Sequence, residues 1–569
     1  MERIYIIGKK EDNIKQIGFP YEIVSSLNND DEIDNWIINF LQNRDVDKLI
    51  IDLSDDTKLF LKIGFHIRLS LEELREKSLI PLLFVSVSSL TNVLVEGESW
   101  SHILTTKGVY FSSFERVKTE AEYAENLKNE EYKMNFLNHI HILPDEKTGR
   151  HSLANIWGAY AMDKAAGTNA FKSDANLKKH KAKLYFKYVS AFNFNTAKLN
   201  PSPSKVISKI DSPKKMDAID AKGKKILLID DEAHNGWETV LRKIFITTTP
   251  NDFVIINKKV KDYESFSDKN KDIIENTPFD LYLVDLRLNG IEEENTLKSE
   301  DFSGMKVLKK IKSINQGNQV IMFTASNKVW NLKALLNAGA DGYYMKESPD
   351  LGFSNEFSEQ NYLRFQKDVN HCFNRYFLFD VYEFHQRCYE FINIDRTNKG
   401  KWYNRFYDRA CSQLEIAFGL LKQSFEKKYL NFAYLSYYQI LEDYADQSEN
   451  FEYNERMGYY VNDDLVIDKT DKEWKLIFIE KKTKEEFNFY KKGIVKEFDE
   501  KKYKNLMAFP KISFILAYKF NEDNSFLEEW GRLHHLRNTV AVHGLNNKTV
   551  TVDDVYSLLE IVELFLTNP

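Results

Sequence analysis

The sequence predicts a multidomain protein in which two α/β regions with parallel sheets precede an all-α region. Short apolar segments alternate with longer amphipathic segments over residues 1–120, and again over residues 224–375. This alternation is typical of strand–helix–strand units. After about residue 350 the strand pattern fades, and over residues 403–446 Leu, Phe and Tyr recur at helical spacing. These three observations give the fold class.

Composition limits the classes of function. The chain has 569 residues and a formal net charge of −7, so it should form several domains and has no global basic field for nucleic acid. Any RNA contact would need a local patch. Its three cysteines lack CxxC spacing, and no apolar segment is long enough to span a membrane. We therefore expect a cytoplasmic protein without a membrane partner.

The remaining segments complete the predicted domain order. Residues 121–199 are interpreted as a linking α/β region. Residues 200–223 contain Pro-Ser-Pro-Ser and many charged residues, which favours a linker. Residues 376–569 are predicted to form a helical domain. Within that domain, long helices are expected over residues 403–446, an insertion with a hairpin near 474–479 over 447–505, and further helices over 526–542 and 552–567.

Polar side chains follow four of the five strands predicted in the second α/β region. These strands are expected at residues 225–229, 253–257, 280–284, 319–323 and 342–345. Asp230 and Asp231 follow the first strand, Asp285 the third, Thr324 the fourth and Lys346 the fifth. Because ligands bind at the carboxyl ends of parallel strands, we expect these side chains to converge.

The chemistry of this group favours phosphoryl transfer. Three converging carboxylates repel one another, and a hard cation such as Mg²⁺ relieves that repulsion. Asp285 is then available as a nucleophile toward a phosphoryl group. Thr324 and Lys346 can contact the phosphoryl oxygens, whose charge must be neutralised during transfer.

The order of the motifs Ile226-Leu-Leu-Ile-Asp-Asp-Glu232, Leu281-Tyr-Leu-Val-Asp-Leu286, Phe323-Thr-Ala-Ser326 and Tyr343-Tyr-Met-Lys346 resembles the receiver domain of bacterial two-component response regulators. The resemblance implies a flavodoxin-like doubly wound fold, a sensor histidine kinase as partner, and Asp285 as phospho-acceptor. It assigns the Mg²⁺ ligands to Asp231, Asp285 and the backbone carbonyl of Arg287, with Asp230 contributing through water. It also puts the aromatic switch at Tyr343.

One alternative interpretation and one departure from the family's pattern bear on this site. A nucleotide-binding or inactive α/β domain can also end its strands in acids. The turn after the acceptor is expanded into the acidic segment 289–301 before Ser303-Gly304. We interpret this segment as a solvated loop, although its acids could slow phosphoryl approach or shape the choice of partner.

The first α/β region is interpreted as a degenerate copy of the same fold. Asp52 falls where an acceptor would stand, but the first strand ends in Gly8-Lys9-Lys10 instead of an acidic pair. The strands are expected at residues 4–7, 48–53, 81–87 and 108–111. Without the acidic pair a Mg²⁺ site is not expected, so we predict a pseudo-receiver used for packing or dimerisation, with Asp52 capping a turn.

A second chemical motif lies near the C-terminus, in Leu536-Arg-Asn-Thr-Val-Ala-Val-His-Gly544. Arg537 can clamp a phosphate, and His543 can exchange a proton near neutral pH. On a regular helix the two lie about 240° apart. They can share a pocket only if the helix ends or distorts near His543, where Gly544 is a plausible stop.

This stretch resembles the Arg-x(4–6)-His motif of the HEPN superfamily (higher eukaryotes and prokaryotes nucleotide-binding), and the likeness covers about residues 400–569. Many members are metal-independent endoribonucleases of antiviral or toxin systems, with a composite active site between two copies. The resemblance implies that Arg537 stabilises phosphate, Asn538 orients, and His543 is the acid and base. Non-catalytic members also exist. His534 and His535 are interpreted as helix-surface residues.

Together these features predict a homodimeric, phosphorylation-controlled ribonuclease of antiphage defence or stress response. The helical domain requires no cofactor in this interpretation, and RNA is the substrate. The alternative is a non-catalytic adaptor in two-component signalling. A sequence-specific DNA-binding output is disfavoured because no basic recognition helix follows the second α/β region. A nucleotidyltransferase-linked toxin is a further possibility, but the sequence shows no nucleotidyltransferase motif.

Overall fold

The computed structural model divides the chain into two compact units. One unit comprises residues 1–310 and 319–373, and the other comprises residues 311–318 and 374–569. The structure describes residues 2–144, 150–194, 218–289, 298–325, 329–348, 355–396, 401–423, 427–447, 451–454, 458–461, 465–468, 476–480, 486–489, 508–516, 520, 524–541 and 550–567. Among these described residues, no helix is both long and apolar enough to cross a membrane.

The first α/β domain is a five-stranded parallel sheet with the order β2-β1-β3-β4-β5. Its strands are β1 (Ile4–Gly8), β2 (Tyr21–Ile23), β3 (Lys48–Asp52), β4 (Leu82–Val85) and β5 (Val109–Ser112). Its helices are α1 (Glu11–Lys15), α2 (Asp30–Gln42), α3 (Thr57–Leu69), α4 (Leu71–Leu74), α5 (Leu90–Gly97) and α6 (Val117–Tyr123). The four predicted strands are confirmed. The sequence analysis missed the short edge strand β2. Its three residues are partly buried or exposed, so they do not form the apolar segment that marks a buried strand.

The second α/β domain repeats this order. Its main sheet is parallel, with the order β9-β7-β10-β11-β12, and β6 pairs with β8 in a separate parallel ribbon. The strands are β6 (Ile219–Ala221), β7 (Ile226–Ile229), β8 (Phe245–Thr247), β9 (Phe253–Ile256), β10 (Leu281–Asp285), β11 (Val320–Thr324) and β12 (Gly342–Met345). All five predicted strands are confirmed to within a residue or two. The central strands are buried on both faces, as apolar parallel strands require.

In its described residues, 121–144 and 150–194, the linking region contains helices and irregular segments but no strand. The expected α/β character is corrected there, because the apolar run around residues 139–143 packs without a strand partner. Ile140 and Ile142 join the core of the first domain, whereas Ile156 and Phe171 join the core of the second. The helices of this region are α7 (Arg150–Ala166), α8 (Ala170–Ser173), α9 (Ala175–Ala182) and α10 (Leu184–Phe192). The second domain adds α11 (Trp237–Ile244), α12 (Asp268–Asn276), α13 (Ser303–Ile314), α14 (Val329–Asn337) and α15 (Asn355–Asn374).

The C-terminal helices share one aromatic-rich core, into which Tyr434, Tyr437, Trp530 and Phe565 are buried. The helices are α16 (Phe377–Arg396), α17 (Lys401–Gln423), α18 (Lys427–Gln447), α19 (Ala508–Phe514), α20 (Asn524–Leu536) and α21 (Val552–Thr567). The predicted insertion contains a five-stranded antiparallel meander, which includes the expected hairpin. Its strands are β13 (Phe451–Asn454), β14 (Gly458–Val461), β15 (Leu465–Asp468), β16 (Leu476–Glu480) and β17 (Glu486–Phe489).

Glu72 of α4 connects the first domain to the linking region. Its carboxylate accepts hydrogen bonds from Lys164 at 2.6 Å and from Lys181 at 3.2 Å, and the Tyr160 hydroxyl lies 3.3 Å away. Burial by itself raises the pKa of Glu72, but the two lysines outweigh burial and hold that pKa at about 2. The ionised carboxylate therefore stabilises the contact between α4 and helices α7 and α9.

We expect Glu72→Gln to lower the free energy of unfolding at neutral pH by about 1–2 kcal/mol, because Lys164 loses its charged partner and Lys181 keeps only its ion pair with Glu73. The folded-state pKa of about 2 lies below the ordinary value of 4.5. The stabilisation is therefore complete above about pH 4.5 and is lost as the pH falls toward 2. Urea unfolding should show a smaller difference between variant and parent at about pH 3 than at about pH 7. The exposed neighbour Glu76, changed to Gln, is the control, and a pH-independent difference would contradict the assignment.

Candidate functional site

The five polar residues predicted at strand ends meet at the carboxyl edge of the second sheet. Asp230 and Asp231 follow β7, Asp285 ends β10, Thr324 ends β11 and Lys346 follows β12. The strand register brings them level, because Asp285 pairs with Phe323 and the Lys346 amide donates to the Thr324 carbonyl at 2.7 Å. Each of the five is at most 4% exposed. The convergence predicted from the sequence is therefore present.

Three carboxylates dominate the electrostatics of this pocket. Oxygens of Asp230, Asp231 and Asp285 lie within 4.8 Å of one another. The other Asp230 oxygen accepts the Glu232 amide at 2.8 Å, which fixes the turn after β7. Like charges buried this closely favour a bound cation, and a set of hard oxygen ligands fits Mg²⁺. Arg287, whose carbonyl was predicted as a further ligand, lies half-buried two residues after Asp285.

Lys346 is the cationic side chain that the sequence predicted for this pocket. Its Nζ lies 2.9 Å from Asp230 Oδ2 and 3.0 Å from Asp285 Oδ2. Burial lowers the pKa of Lys346, but the carboxylates of Asp230 and Asp285 outweigh burial and raise it above its ordinary value. The ammonium therefore stays charged and balances part of the negative charge.

Tyr343 and the residue after it face opposite sides of the sheet. Tyr343 is half-buried, and the Arg364 guanidinium lies 4.1 Å from its ring centroid. Tyr344 is buried in the core against Trp237 and Phe323. Of these two tyrosines, only Tyr343 is therefore partly exposed.

The turn after Asp285 depends on a glycine. The Gly304 amide donates to the Leu286 carbonyl at 3.0 Å, and the Leu288 amide donates to Ser303 Oγ at 2.7 Å. A Cβ on Gly304 would lie 1.9 Å from the Asp285 carbonyl oxygen. Helix α13 can therefore begin against the acceptor only because residue 304 has no side chain. Most of the predicted acidic loop, residues 290–297, lies outside the described residues.

Two residues of the pocket were missed by the sequence analysis. The Trp237 ring centroid lies 5.2 Å from Lys346 Nζ, and Asn155 of α7 accepts a hydrogen bond from the same nitrogen. The sequence contained a weak signal for Trp237, because a tryptophan begins the first α-helix after the acidic pair. Asn155 offered none, because it precedes the predicted second α/β region and belongs to no motif.

The corresponding edge of the first domain has a different charge pattern. Lys9 pairs with Asp56 at 3.0 Å, and Lys10 pairs with Asp55 at 2.6 Å. Asp52 is buried and accepts the Ser54 amide at 2.9 Å, which confirms its predicted role in capping a turn. Two of the three acids at this edge are thus paired with lysines of the protein itself.

The helix that carries the C-terminal motif widens into a π-helical turn over Arg537–Ala541. A distortion of this helix was predicted as a condition for Arg537 and His543 to share a pocket, and π turns are frequent at functional sites. Arg537 donates to Glu442 at 2.9 Å and to Asn538 Oδ1 at 2.8 Å. His543 lies outside the described residues.

His534 is not simply a helix-surface residue, which corrects the expectation for it, whereas His535 is exposed. Burial, followed by the charge of Arg537, lowers the pKa of His534 to about 4, so the ring is neutral at pH 7. The Asn538 amide donates to His534 Nε2 at 2.8 Å, and Tyr438 Oη lies 2.6 Å from Nδ1. This network assigns the proton to Nδ1. His534 therefore orients Asn538, which in turn orients Arg537.

The chain was compared with known proteins. The family model of the inactive receiver domain (iREC) matches residues 1–112. A CheY-like response regulator receiver domain protein from Methanospirillum hungatei JF-1 shares 22% identity over 26% of this chain and 97% of its own, with a TM-score of 0.17. A structure described as a two-component system response regulator/ggdef domain protein shares 10% identity over 65% of this chain and 99% of its own, with a TM-score of 0.18. No curated protein matches the chain.

The family match confirms that the first domain is receiver-like, and it indicates a role in two-component signalling. It agrees with the lysines found where an acidic pair would stand. Both TM-scores are low, so neither solved structure adds an argument about fold or function.

We expect Gly304→Ala to lower the free energy of unfolding by about 3 kcal/mol, because a methyl group cannot fit between two rigid backbone segments. Chemical denaturation followed by circular dichroism would measure the change. Gly419→Ala in α17 is the control, since nothing lies within 4 Å of its added Cβ. That control should be neutral or gain up to about 1 kcal/mol. Equal stability of parent and Gly304→Ala would contradict the close approach.

Proposed function

We propose that this protein is a phosphorylation-controlled response-regulator effector whose C-terminal domain cleaves RNA. The observation that carries the first half is the buried group of Asp230, Asp231 and Asp285 with Lys346 between two of the carboxylates. A nucleotide-binding site would have little use for a nucleophilic carboxylate paired with an ammonium. A phospho-acceptor needs both.

The proposed reaction at Asp285 is an in-line displacement at phosphorus. A carboxylate oxygen of Asp285 forms the new P–O bond, and the bond from phosphorus to the donor breaks. The donor is phosphohistidine of a sensor histidine kinase, and its imidazole nitrogen leaves with the electron pair. Thr324 and Lys346 contact the transferred oxygens. The product is an acyl phosphate on Asp285.

Mg²⁺ is the cofactor that the three carboxylates fit. Asp231, Asp285 and the Arg287 carbonyl would hold it, with Asp230 contributing through water. When bound, it neutralises negative charge that Lys346 alone leaves in the pocket. The chain's own residues supply the nucleophile and the remaining cation.

Phosphorylation then shifts the population of two arrangements of the protein. The acyl phosphate attracts the Thr324 hydroxyl, and the space vacated by Thr324 admits the partly exposed Tyr343 ring. For a useful switch, phosphorylation must favour the active arrangement by a few kcal/mol. We propose that the active arrangement is a homodimer in which two copies of the Arg537 and His543 motif assemble one site.

The nuclease half rests on the environment of Arg537. Its guanidinium is fixed by Glu442 and Asn538 at the start of a π-helical turn. In the proposed reaction a ribose 2′-oxygen attacks the adjacent phosphorus, and the bond to the 5′-oxygen breaks. His543 takes the 2′ proton and returns a proton to the leaving oxygen, while Arg537 stabilises the phosphorane charge. The products are a 2′,3′-cyclic phosphate and a 5′-hydroxyl, and no metal is consumed or required.

We expect acetyl phosphate with Mg²⁺ to label the parent protein at Asp285, measured by intact mass and by a hydroxylamine-sensitive shift in a phosphate-affinity gel. Asp285→Asn should remove the label, and Lys346→Met should slow labelling by about tenfold or more because the transition-state charge loses its cation. Asp52→Asn, the matched strand-end acid of the first domain, should label like the parent. Label retained by Asp285→Asn would refute the assignment.

We expect the purified protein to cleave single-stranded RNA in the presence of EDTA. Arg537→Ala and His543→Ala should each reduce the rate by about 10² or more, as loss of phosphate stabilisation or of acid–base catalysis implies. His535→Ala is the control, because His535 is an exposed histidine on the same helix. Cleavage should change after acetyl phosphate treatment only when Asp285 is present.

The alternative is a non-catalytic adaptor that signals through contacts of its helical domain. It predicts no RNA cleavage in either phosphorylation state, across varied RNAs. It also predicts normal partner binding by Arg537→Ala and His543→Ala. Labelling of Asp285 would be unaffected by that outcome, so the two halves of the proposal are tested separately.

A further inference from the structure

Asn155 lies in α7 of the linking region, yet its side chain reaches the phospho-acceptor pocket. Its Oδ1 accepts a hydrogen bond from Lys346 Nζ at 2.5 Å and another from Trp237 Nε1 at 3.0 Å. Asn155 is 1% exposed. A residue from outside the second α/β domain therefore forms part of the wall of this pocket.

Two glycines allow α7 to approach so closely. Gly158 lies three residues after Asn155 and thus on the same helix face. A Cβ at Gly158 would lie 2.9 Å from the Trp237 ring and 3.3 Å from Lys346 Cβ. On the facing element, Gly236 has φ +119°, and a Cβ there would lie 3.0 Å from Ala159 Cβ. The close packing of α7 against the start of α11 therefore requires a glycine on each of the two elements.

Asn155 supplies an uncharged acceptor for Lys346. The ammonium donates hydrogen bonds to Asp230 Oδ2 at 2.9 Å and to Asn155 Oδ1 at 2.5 Å. Asp285 Oδ2 lies 3.0 Å from the same nitrogen and forms an ion pair with it. An amide oxygen holds the ammonium without adding a fourth negative charge to a pocket that must admit an anion. The Trp237 bond fixes the Asn155 amide in turn, so Lys346 is anchored from outside the sheet.

We infer that Asn155 is a positioning residue for the binding of phosphoryl-type anions at Asp285, acting through Lys346. This inference rests on the proposed function of Asp285 as phospho-acceptor. The hydrogen bond from Lys346 to Asn155 is the contact through which Asn155 acts. Its effect is to hold the Lys346 ammonium at the edge of the pocket, which makes the linking region a working part of the site.

Binding of Mg²⁺ and of beryllofluoride, a phosphoryl analogue, separates positioning from general damage to the pocket. In the full-length protein, Asn155→Ala should weaken beryllofluoride binding at saturating Mg²⁺ by about tenfold, the lower end of what one hydrogen bond to a charged group contributes. Its Mg²⁺ affinity should stay near that of the parent, because the three carboxylates are unchanged. Fluorine NMR measures the first affinity and calorimetry the second.

Asn155→Asp provides a second test, because it should change the affinities for the two ligands in opposite directions. The aspartate keeps an acceptor for Lys346 but adds negative charge, so Mg²⁺ should bind more tightly and beryllofluoride more weakly. This variant also decides the case if Asn155→Ala fails to fold. Asn193→Ala changes an asparagine of the same linking region whose side chain donates to the Val189 carbonyl, and it should match the parent in both titrations.

The outcomes separate this inference from the proposal on which it rests. A parent protein that binds neither Mg²⁺ nor beryllofluoride overturns both. A parent that binds both, with Asn155→Ala indistinguishable from it, overturns only the role of Asn155. Equal weakening of both ligands by Asn155→Ala, or a shift of both in the same direction by Asn155→Asp, would also overturn it, because a structural role predicts that pattern.

Discussion

The second α/β domain is organised around three carboxylates that are buried at one edge of its sheet. Asp230, Asp231 and Asp285 repel one another, and a buried charge is stable only when it is paired or coordinated. Lys346 offsets one of the three charges, and an oxygen-seeking divalent cation suits the remainder. The apolar strands β7, β10 and β11 fix the positions of the acids and leave them little freedom to move apart.

The two α/β domains show that strand order and chemistry are separable. Both sheets are parallel and place their strands in the same order. In the first domain Lys9 and Lys10 follow the first strand and pair with Asp56 and Asp55. In the second domain two acids follow the equivalent strand. A change of charge at two adjacent positions therefore distinguishes an edge that carries its own cations from one with a cluster of three acids, in keeping with the inactive-receiver match of the first domain.

The linking region holds these two domains to one another through opposite kinds of contact. Toward the first domain it presents lysines, which surround Glu72 of α4. Toward the second it presents apolar side chains, and Asn155 lies among them. One segment thus contributes to two cores and to one polar pocket. Removal of the Glu72 ion pairs and removal of the Asn155 hydrogen bonds should have separate consequences. The ion pairs lie against the first domain, whereas the hydrogen bonds lie against the second.

The sequence by itself determined the two parallel sheets, the helical C-terminal region and the strand-end residues Asp230, Asp231, Asp285, Thr324 and Lys346. These follow from local periodicity and from the rule that parallel strands end at a common edge. Only the tertiary structure decided what surrounds them. Asn155 precedes Lys346 by 191 positions, and no local pattern records a contact between elements so distant. The same reason explains why His534 was misread, since its neutral ring depends on burial beside Tyr438 and Asn538, which the helical pattern around it does not reveal.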